Sequence, residues 1–177
     1  MRTRYKIIDA GQIYFITSTI VEWIPVFTRK SYFDILINSL NYCRQHKGLK
    51  VFAYVILDNH LHLVISGENL SNTIKDFKRH TAREIIKLAQ DEEKTWLLNQ
   101  FKFYRQKHKM DSDYQVSQEG FHPKQITSEE MVRQKIEYIH YNPVRIGLVN
   151  KREEWIYSSA GNYLGLKGLM EIDVLEL

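Results

Sequence analysis

The chain has 177 residues, of which 44% are hydrophobic and 26% charged, with a formal net charge of +4. That length suits one domain able to bury a core without disulfides or structural metal, and the single cysteine, Cys43, rules out an internal disulfide framework and fits a reducing cytoplasm. The longest apolar run, VFAYVIL, is far short of the roughly 20 residues a membrane helix needs, and the opening MRTRYKIIDAGQ loses its apolar stretch after two isoleucines, so neither a membrane span nor a secretory signal is expected.

In chain order, QIYFITSTIV reads as a first strand, rich in β-branched and aromatic residues. SYFDILINSLNYCRQHKG reads as a helix. It sets Phe33, Leu36, Ile37, Leu40 and Cys43 on one stripe, with Ser31 and Asp34 spaced as a capping pair and Gly48 as the stop. KVFAYVIL and HLHLVIS read as two strands joined by a tight turn at Asp58 and Asn59. A helix over 69–90 follows, carrying Leu70, Ile74, Phe77, Ile85 and Leu88, and the polar DEEKTW ends it. Within 95–120, the run KFYRQKHK places Lys102, Arg105, Lys107 and Lys109 around Phe103 and Tyr104 with no acid. That mixture suits phosphates and unstacked bases, and equally a solvated loop. GFHPKQI reads as a short fourth strand. In TSEEMVRQKIEYIHYNP, Thr127 and Glu130 predict a capping box and Pro143 the helix end. The order β-α-β-β-α-β-α fits an α+β fold: a ferredoxin-like split βαβ antiparallel sheet with an added C-terminal helix. No linker-like composition divides the chain, so residues 151–177 are expected to form an extension packed on the domain made by 1–150.

DNHLHLVI places two imidazoles in a strand that otherwise reads as buried. Alternation sends His60, His62 and Val64 to one face and Leu61, Leu63 and Ile65 to the other, which is the expected core face. Residues two apart on one face stand roughly 7 Å apart at the backbone, so the two imidazoles can lean onto one metal ion. A pair alone holds a metal poorly, and solvent-facing histidines with no role are the competing reading. Tyr138 and Asn142 stand one helical turn apart, on the flank of a buried stripe formed by Val132, Ile136 and Ile139. Pro143 disfavours helical geometry at Asn142, which predicts an amide at the helix end, reaching outward. Tyr141 is a rival in the same segment, but its helical direction lies nearly opposite the apolar stripe, which suggests solvent, and His140 points well away from Tyr138. His122, before a proline, reads as structural, and Trp155 and Tyr157 as packing for the C-terminal extension.

NHLHLVI, then YIHYNPVRIGLV some seventy residues later, then YSSAGNYLG, together resemble the HUH-type single-tyrosine transposases of the IS200-like group, and most closely the REP-associated tyrosine transposases. The likeness spans nearly the whole chain. It implies that His60 and His62 are metal ligands, that Tyr138 is the nucleophile, and that Asn142 occupies a position where relatives place a polar ligand. It also implies Mg²⁺ or Mn²⁺ as cofactor and attack of the tyrosine on a single-stranded DNA phosphate. That attack would give a 5′-phosphotyrosine link and a free 3′-hydroxyl, at hairpins formed by imperfect palindromes. Lys78, Arg79, Arg83, Arg105, Lys107, Lys109 and Arg145 are the cations expected to position the DNA backbone. The expected partner is therefore single-stranded or hairpin DNA, in the cytoplasm. The chain is open as monomer or homodimer, with the tyrosine acting on its own or a partner's histidines. Two other classes fit parts of the pattern: a non-catalytic nucleic-acid-binding module on a split βαβ sheet, and a phosphodiesterase that uses water in place of Tyr138.

Overall fold

The computed structural model describes residues 11–108 and 112–175. Four strands, β1 (Tyr14–Thr19), β2 (Lys50–Ile56), β3 (His60–Ser66) and β4 (Lys124–Gln125), form one sheet in the order β2-β3-β1-β4, every neighbouring pair antiparallel. The helices are α1 (Lys30–Lys47), α2 (Leu70–Asp91), α3 (Thr95–Phe103), α4 (Glu129–Arg145) and the single turn α5 (Ala160–Tyr163). This is the ferredoxin-like split βαβ sheet, with α4 as the added helix that bears Tyr138. The helix α3, just after the polar DEEKTW stretch, has no counterpart among the elements expected from the sequence.

Strands β2 and β3 are buried along nearly their whole length because helices cover both faces of the sheet. Leu61, Leu63 and Ile65 pack with Leu36 and Leu40 of α1 and with Ile74 and Phe77 of α2, forming the larger core. On the opposite face, Phe52, Val55 and Val64 meet Val132, Ile136 and Ile139 of α4 in a smaller one. The histidine face is therefore closed by α4 over part of its length. Each large apolar side chain so buried contributes about 1.5–3 kcal/mol, enough to fix the position of α4.

The chain from 116 to 126 runs beside β1 as a broken fourth strand. Val21 N–H donates to Val116 O (2.9 Å), Gln118 N–H to Thr19 O (2.8 Å), Thr17 N–H to Phe121 O (3.2 Å) and Ile126 N–H to Ile13 O (2.8 Å). Left-handed backbone at Gly120 (φ 74°) and His122 (φ 38°) inserts extra residues between these bonds, and Pro123 has no N–H to offer. The expected strand GFHPKQI thus shrinks to two regular residues.

Two helix starts differ from their sequence signals. Arg29 precedes α1, so Ser31 lies in its first turn with a buried, unpartnered Oγ, and Asp34 pairs with Lys30 instead (2.6 Å). Gly48 does stop the helix, in left-handed geometry (φ 62°), as expected. In α4 the cap is Ser128, not Thr127, its Oγ accepting from Met131 N–H (3.2 Å). The helix also continues through Pro143 to Arg145, because a proline in the last turn forfeits only one helical bond.

The segment 155–173 lies along the outer edge of β2. Ile56 N–H donates to Tyr157 O, Ser159 N–H to Tyr54 O and Asp173 N–H to Val51 O (2.8–2.9 Å), while the Tyr157 ring stacks on Phe33 at 3.7 Å. An edge strand is thereby covered by the chain's own backbone. His140 joins α4 to this segment, its Nε2 lying 2.9 Å from Ser159 Oγ, and burial pulls its pKa down to about 4. A histidine held neutral in the fold and free to protonate when unfolded contributes stability above pH 6.5 that is lost as pH falls toward 4. Urea titrations across this window are expected to show a loss on the order of 3 kcal/mol from His140. His140→Gln is expected to flatten that part of the pH dependence.

Candidate active site

His60 and His62 project from β3 to the same face, with ring centroids 4.9 Å apart. His62 is 6% exposed. Its ring is sandwiched: Phe15 of β1 stacks on it at 5.4 Å, and the ring of Tyr138 approaches edge-on at 5.3 Å. Tyr138 also meets Phe15 edge-on at 6.0 Å. The antiparallel register explains the neighbours from β1, because Phe15 pairs with Val64, Thr17 with His62 and Thr19 with His60, and residues directly opposite share a face. Tyr138 arrives on the flank of the α4 stripe that packs against this face, so phenol and imidazole pair are brought together within one chain.

Each imidazole has one nitrogen engaged. Asn59 Oδ1 lies 2.6 Å from His60 Nδ1, and Asn59 Nδ2 donates to Trp23 O at 3.1 Å, which fixes the orientation of the amide. An amide oxygen only accepts, so His60 Nδ1 carries the proton and Nε2 keeps its lone pair. His62 Nδ1 lies 2.8 Å from Thr17 Oγ1, and its Nε2 is buried with no partner. A buried orphan N–H is rarer than a buried orphan acceptor, which assigns the proton to Nδ1 and leaves the Nε2 lone pair unspent. Burial pushes the pKa of His62 down to about 3, aided by His60 and Lys135. Burial also lowers that of His60, against the opposing effect of Asp58. Both rings are neutral at physiological pH. Glu22 and Trp23 adopt left-handed φ (49° and 56°), a strained pair of residues that sets the Trp23 ring edge-on to His60 at 5.4 Å and its carbonyl on Asn59.

These two neutral imidazoles, each backed by an oxygen on Nδ1, have the donor chemistry of divalent-metal ligands with their outer partners in place. Among the described residues no cluster of three His, Cys, Asp or Glu exists, so no carboxylate or thiolate completes the set. Asn142 lies one turn beyond Tyr138. It is buried, not at an open helix end, and its side chain makes no hydrogen bond among the described residues.

Of the cations named from the sequence, Arg145 reaches the site, its guanidinium 5.4 Å from the centre of the Tyr138 ring. Lys78, Arg79 and Arg83 are on α2, in the layer on the leucine face, away from the histidines. There Lys78 Nζ ties down the broken strand through Gln118 O (3.0 Å) and Gly120 O (2.5 Å), Arg79 pairs with Asp76 (2.7 Å), and Arg83 lines a groove between α1 and α2. Arg105 and Lys107 follow α3, with Arg105 donating to Ser112 O (3.3 Å), and Lys109 lies outside the described residues. The sequence reading missed Phe15, Thr17, Asn59, Lys124 and Lys135. Lys135 sits three residues before Tyr138, so helical spacing around the tyrosine was the available signal. The two β1 residues required a strand register that the sequence does not carry.

No protein-family model matches the chain. A protein of Haemophilus influenzae, whose name assigns it provisionally to the REP-associated tyrosine transposases, is 26% identical over 157 residues, covering 84% of this chain and 80% of its own. A solved REP-associated tyrosine transposase bound to a REP hairpin is 17% identical and superposes with a TM-score of 0.64, covering all of this chain and 95% of the other. The second likeness shows the fold. Together they bear out the resemblance carried by the motifs over the length of the chain. No helix among the described residues is long and apolar enough to cross a membrane.

The tautomer assignment is directly measurable. Nitrogen-15 NMR of the metal-free protein near pH 7.5 is expected to show both imidazoles protonated at Nδ1, and Asn59→Ala to return His60 to the mixed tautomers of a free imidazole.

Proposed function

We propose that the chain is a metal-dependent single-stranded DNA endonuclease and strand transferase of the transposase type, with Tyr138 as nucleophile. The observation that carries this reading is the placement of the Tyr138 ring 5.3 Å from the ring of His62, itself 4.9 Å from His60, in a site that presents two unspent imidazole lone pairs. The similarity to REP-associated tyrosine transposases, one of them solved on a REP hairpin, supports a transposase-like DNA-binding function and hairpin-forming repeats as the substrate class.

The reaction follows from the groups present. The phenolic oxygen of Tyr138 forms a bond to phosphorus as its proton is released, the bond from phosphorus to the 3′ oxygen breaks, and that oxygen leaves as a hydroxyl after taking up a proton. The DNA 5′ end stays on the protein as a phosphotyrosine, and the 3′-hydroxyl can later attack it to rejoin a strand without an external energy source. His60 and His62, with Asn142 as a spare amide, would hold Mg²⁺ or Mn²⁺. When bound, such an ion polarises the scissile phosphate and offsets charge that develops on its oxygens. The protein's own part is to orient the phenol: α4 packing and the Phe15 edge contact confine the ring, and the neutral ligands add no negative charge to repel the phosphate.

Incubation with single-stranded hairpin oligonucleotides and Mn²⁺ is expected to yield a denaturant-resistant protein–DNA band. Tyr138→Phe should abolish the band while DNA affinity stays within about threefold, and His62→Ala or chelation of the metal should lower its rate of formation by at least about 100-fold. A band that persists in Tyr138→Phe, or hydrolysis with no protein-linked DNA, would refute the assignment.

A further inference from the structure

Two other lysines stand at the same site. Lys124, on β4, pairs with Phe15 and so shares the face of the sheet that carries His62. Lys135, on α4, holds its Nζ 4.7 Å above the Phe15 ring and 5.8 Å from the Tyr138 ring. Arg145, on the same helix, lies over the Tyr138 ring. Lys135 and Arg145 thus converge on one tyrosine, with Lys124 close enough to Lys135 to act on its charge.

None of them has a carboxylate partner among the described residues. What sets Lys135 apart from the other unpaired cations is its place, with its ammonium over two aromatic rings at the candidate site. A partly buried ammonium ordinarily finds a counter-ion. Here burial and the neighbouring Lys124 both act against the charge on Lys135. Cation–π contacts with Phe15 and Tyr138 recover part of the cost but supply no compensating negative charge. Lys135 and Arg145 both stand on the Tyr138 ring, and the neighbouring His62 is neutral, so an anion drawn to these cations lies beside the phenol; on the reading above that anion is a DNA phosphodiester.

We propose that Lys135, flanked by Lys124 and Arg145, is the anchor that seats a DNA phosphodiester against Tyr138. This deepens the reading of the chain as a DNA-cleaving enzyme and rests on it. The lysine touches the phosphate and positions it in line with the phenolic oxygen, and Arg145 stands over the same tyrosine ring. Phe15 keeps the lysine stem in place and excludes water from beneath it.

The test separates binding from chemistry. In the full chain carrying Tyr138→Phe, without divalent metal, binding of a labelled single-stranded hairpin oligonucleotide is followed by anisotropy between about 50 and 200 mM salt. Adding Lys135→Met is expected to weaken binding several-fold and to reduce the slope of log K against log salt by about 0.7, the value for one lost phosphate contact on a single strand. Lys135→Arg should restore both. An unchanged slope in Lys135→Met overturns the proposal, and so does an equal loss in Lys135→Met and Lys135→Arg, which would mark a packing role. With Tyr138 intact and Mn²⁺ present, Lys135→Met should slow formation of the covalent band at least about tenfold, as loss of a positioned charge would. If the unsubstituted chain forms no covalent band, the enzymatic reading fails while the salt slope still decides the anion anchor. If it does not bind the oligonucleotide at all, both fall.

Discussion

The packing of α4 across the histidine face of the sheet is the contact on which the site depends. Val132, Ile136 and Ile139 bury against Phe52, Val55 and Val64, and this small core fixes both the rotation and the height of the helix. Rotation decides which residues face the imidazoles. A turn of about 100°, the angle between consecutive helical residues, would replace Tyr138 with an isoleucine or a glutamate. Height decides how far the phenol overhangs the strand. Because Lys135, Tyr138, Asn142 and Arg145 are spaced three or four apart, one rigid docking sets all four at once. The geometry of the candidate site therefore follows from hydrophobic packing a turn away from it.

The same face has to hold polar groups in a nearly dry place, and it does so by keeping them neutral. His62, Asn142 and Thr19 are all buried there, and none carries a charge at physiological pH. The larger core on the leucine face supplies most of the apolar burial, so the smaller core can tolerate these residues. The partners of the imidazoles come from outside β3: Thr17 from β1, and Trp23 through Asn59 from the strained turn after β1. The loop carrying that turn is itself tied to the β2-β3 connection, since Val26 and Phe27 both donate to Asp58 O at 2.8 Å and Ile20 donates to Asn59 O. Strain at Glu22 and Trp23 is thus held by a closed ring of backbone bonds around the base of His60.

What could be read from the sequence was what repeats with a fixed period. Alternation in HLHLVI put the two histidines on one side, and the stripe through Val132, Ile136 and Ile139 put Tyr138 and Asn142 on its flank; both features appear in the structure. Proline chemistry misled at Pro143, because a rule that stops helices in their interior costs little in a last turn. The cap at Ser128 moved one residue for a similar reason, as Thr127 and Ser128 offer the same hydroxyl. Phe15, Thr17 and Trp23 could not be read at all. Their roles depend on strand register and on backbone with positive φ, neither of which leaves a periodic trace. The basic residues divided the same way: Arg145 shares a helix with the tyrosine, whereas Lys78, Arg79 and Arg83 share only their charge with the site and belong to the other layer.

That division bears on how a basic protein directs its charge. Cations paired with acids, such as Arg79 with Asp76, add little to the field around the protein, whereas an unpaired cation contributes within about a Debye length. Lys124 acts against the charge on Lys135, so placing the two ammonium groups near one another on this face carries a repulsive cost, which the exposure of Lys124 to water reduces. The fold sustains that cost because the aromatic faces of Phe15 and Tyr138 lie beneath the charges and because the strands below are anchored by the opposite core. On the proposed anchoring of a phosphodiester by Lys135, that repulsion is relieved when the anion arrives, and the net charge of the chain conveys neither the tension nor its relief.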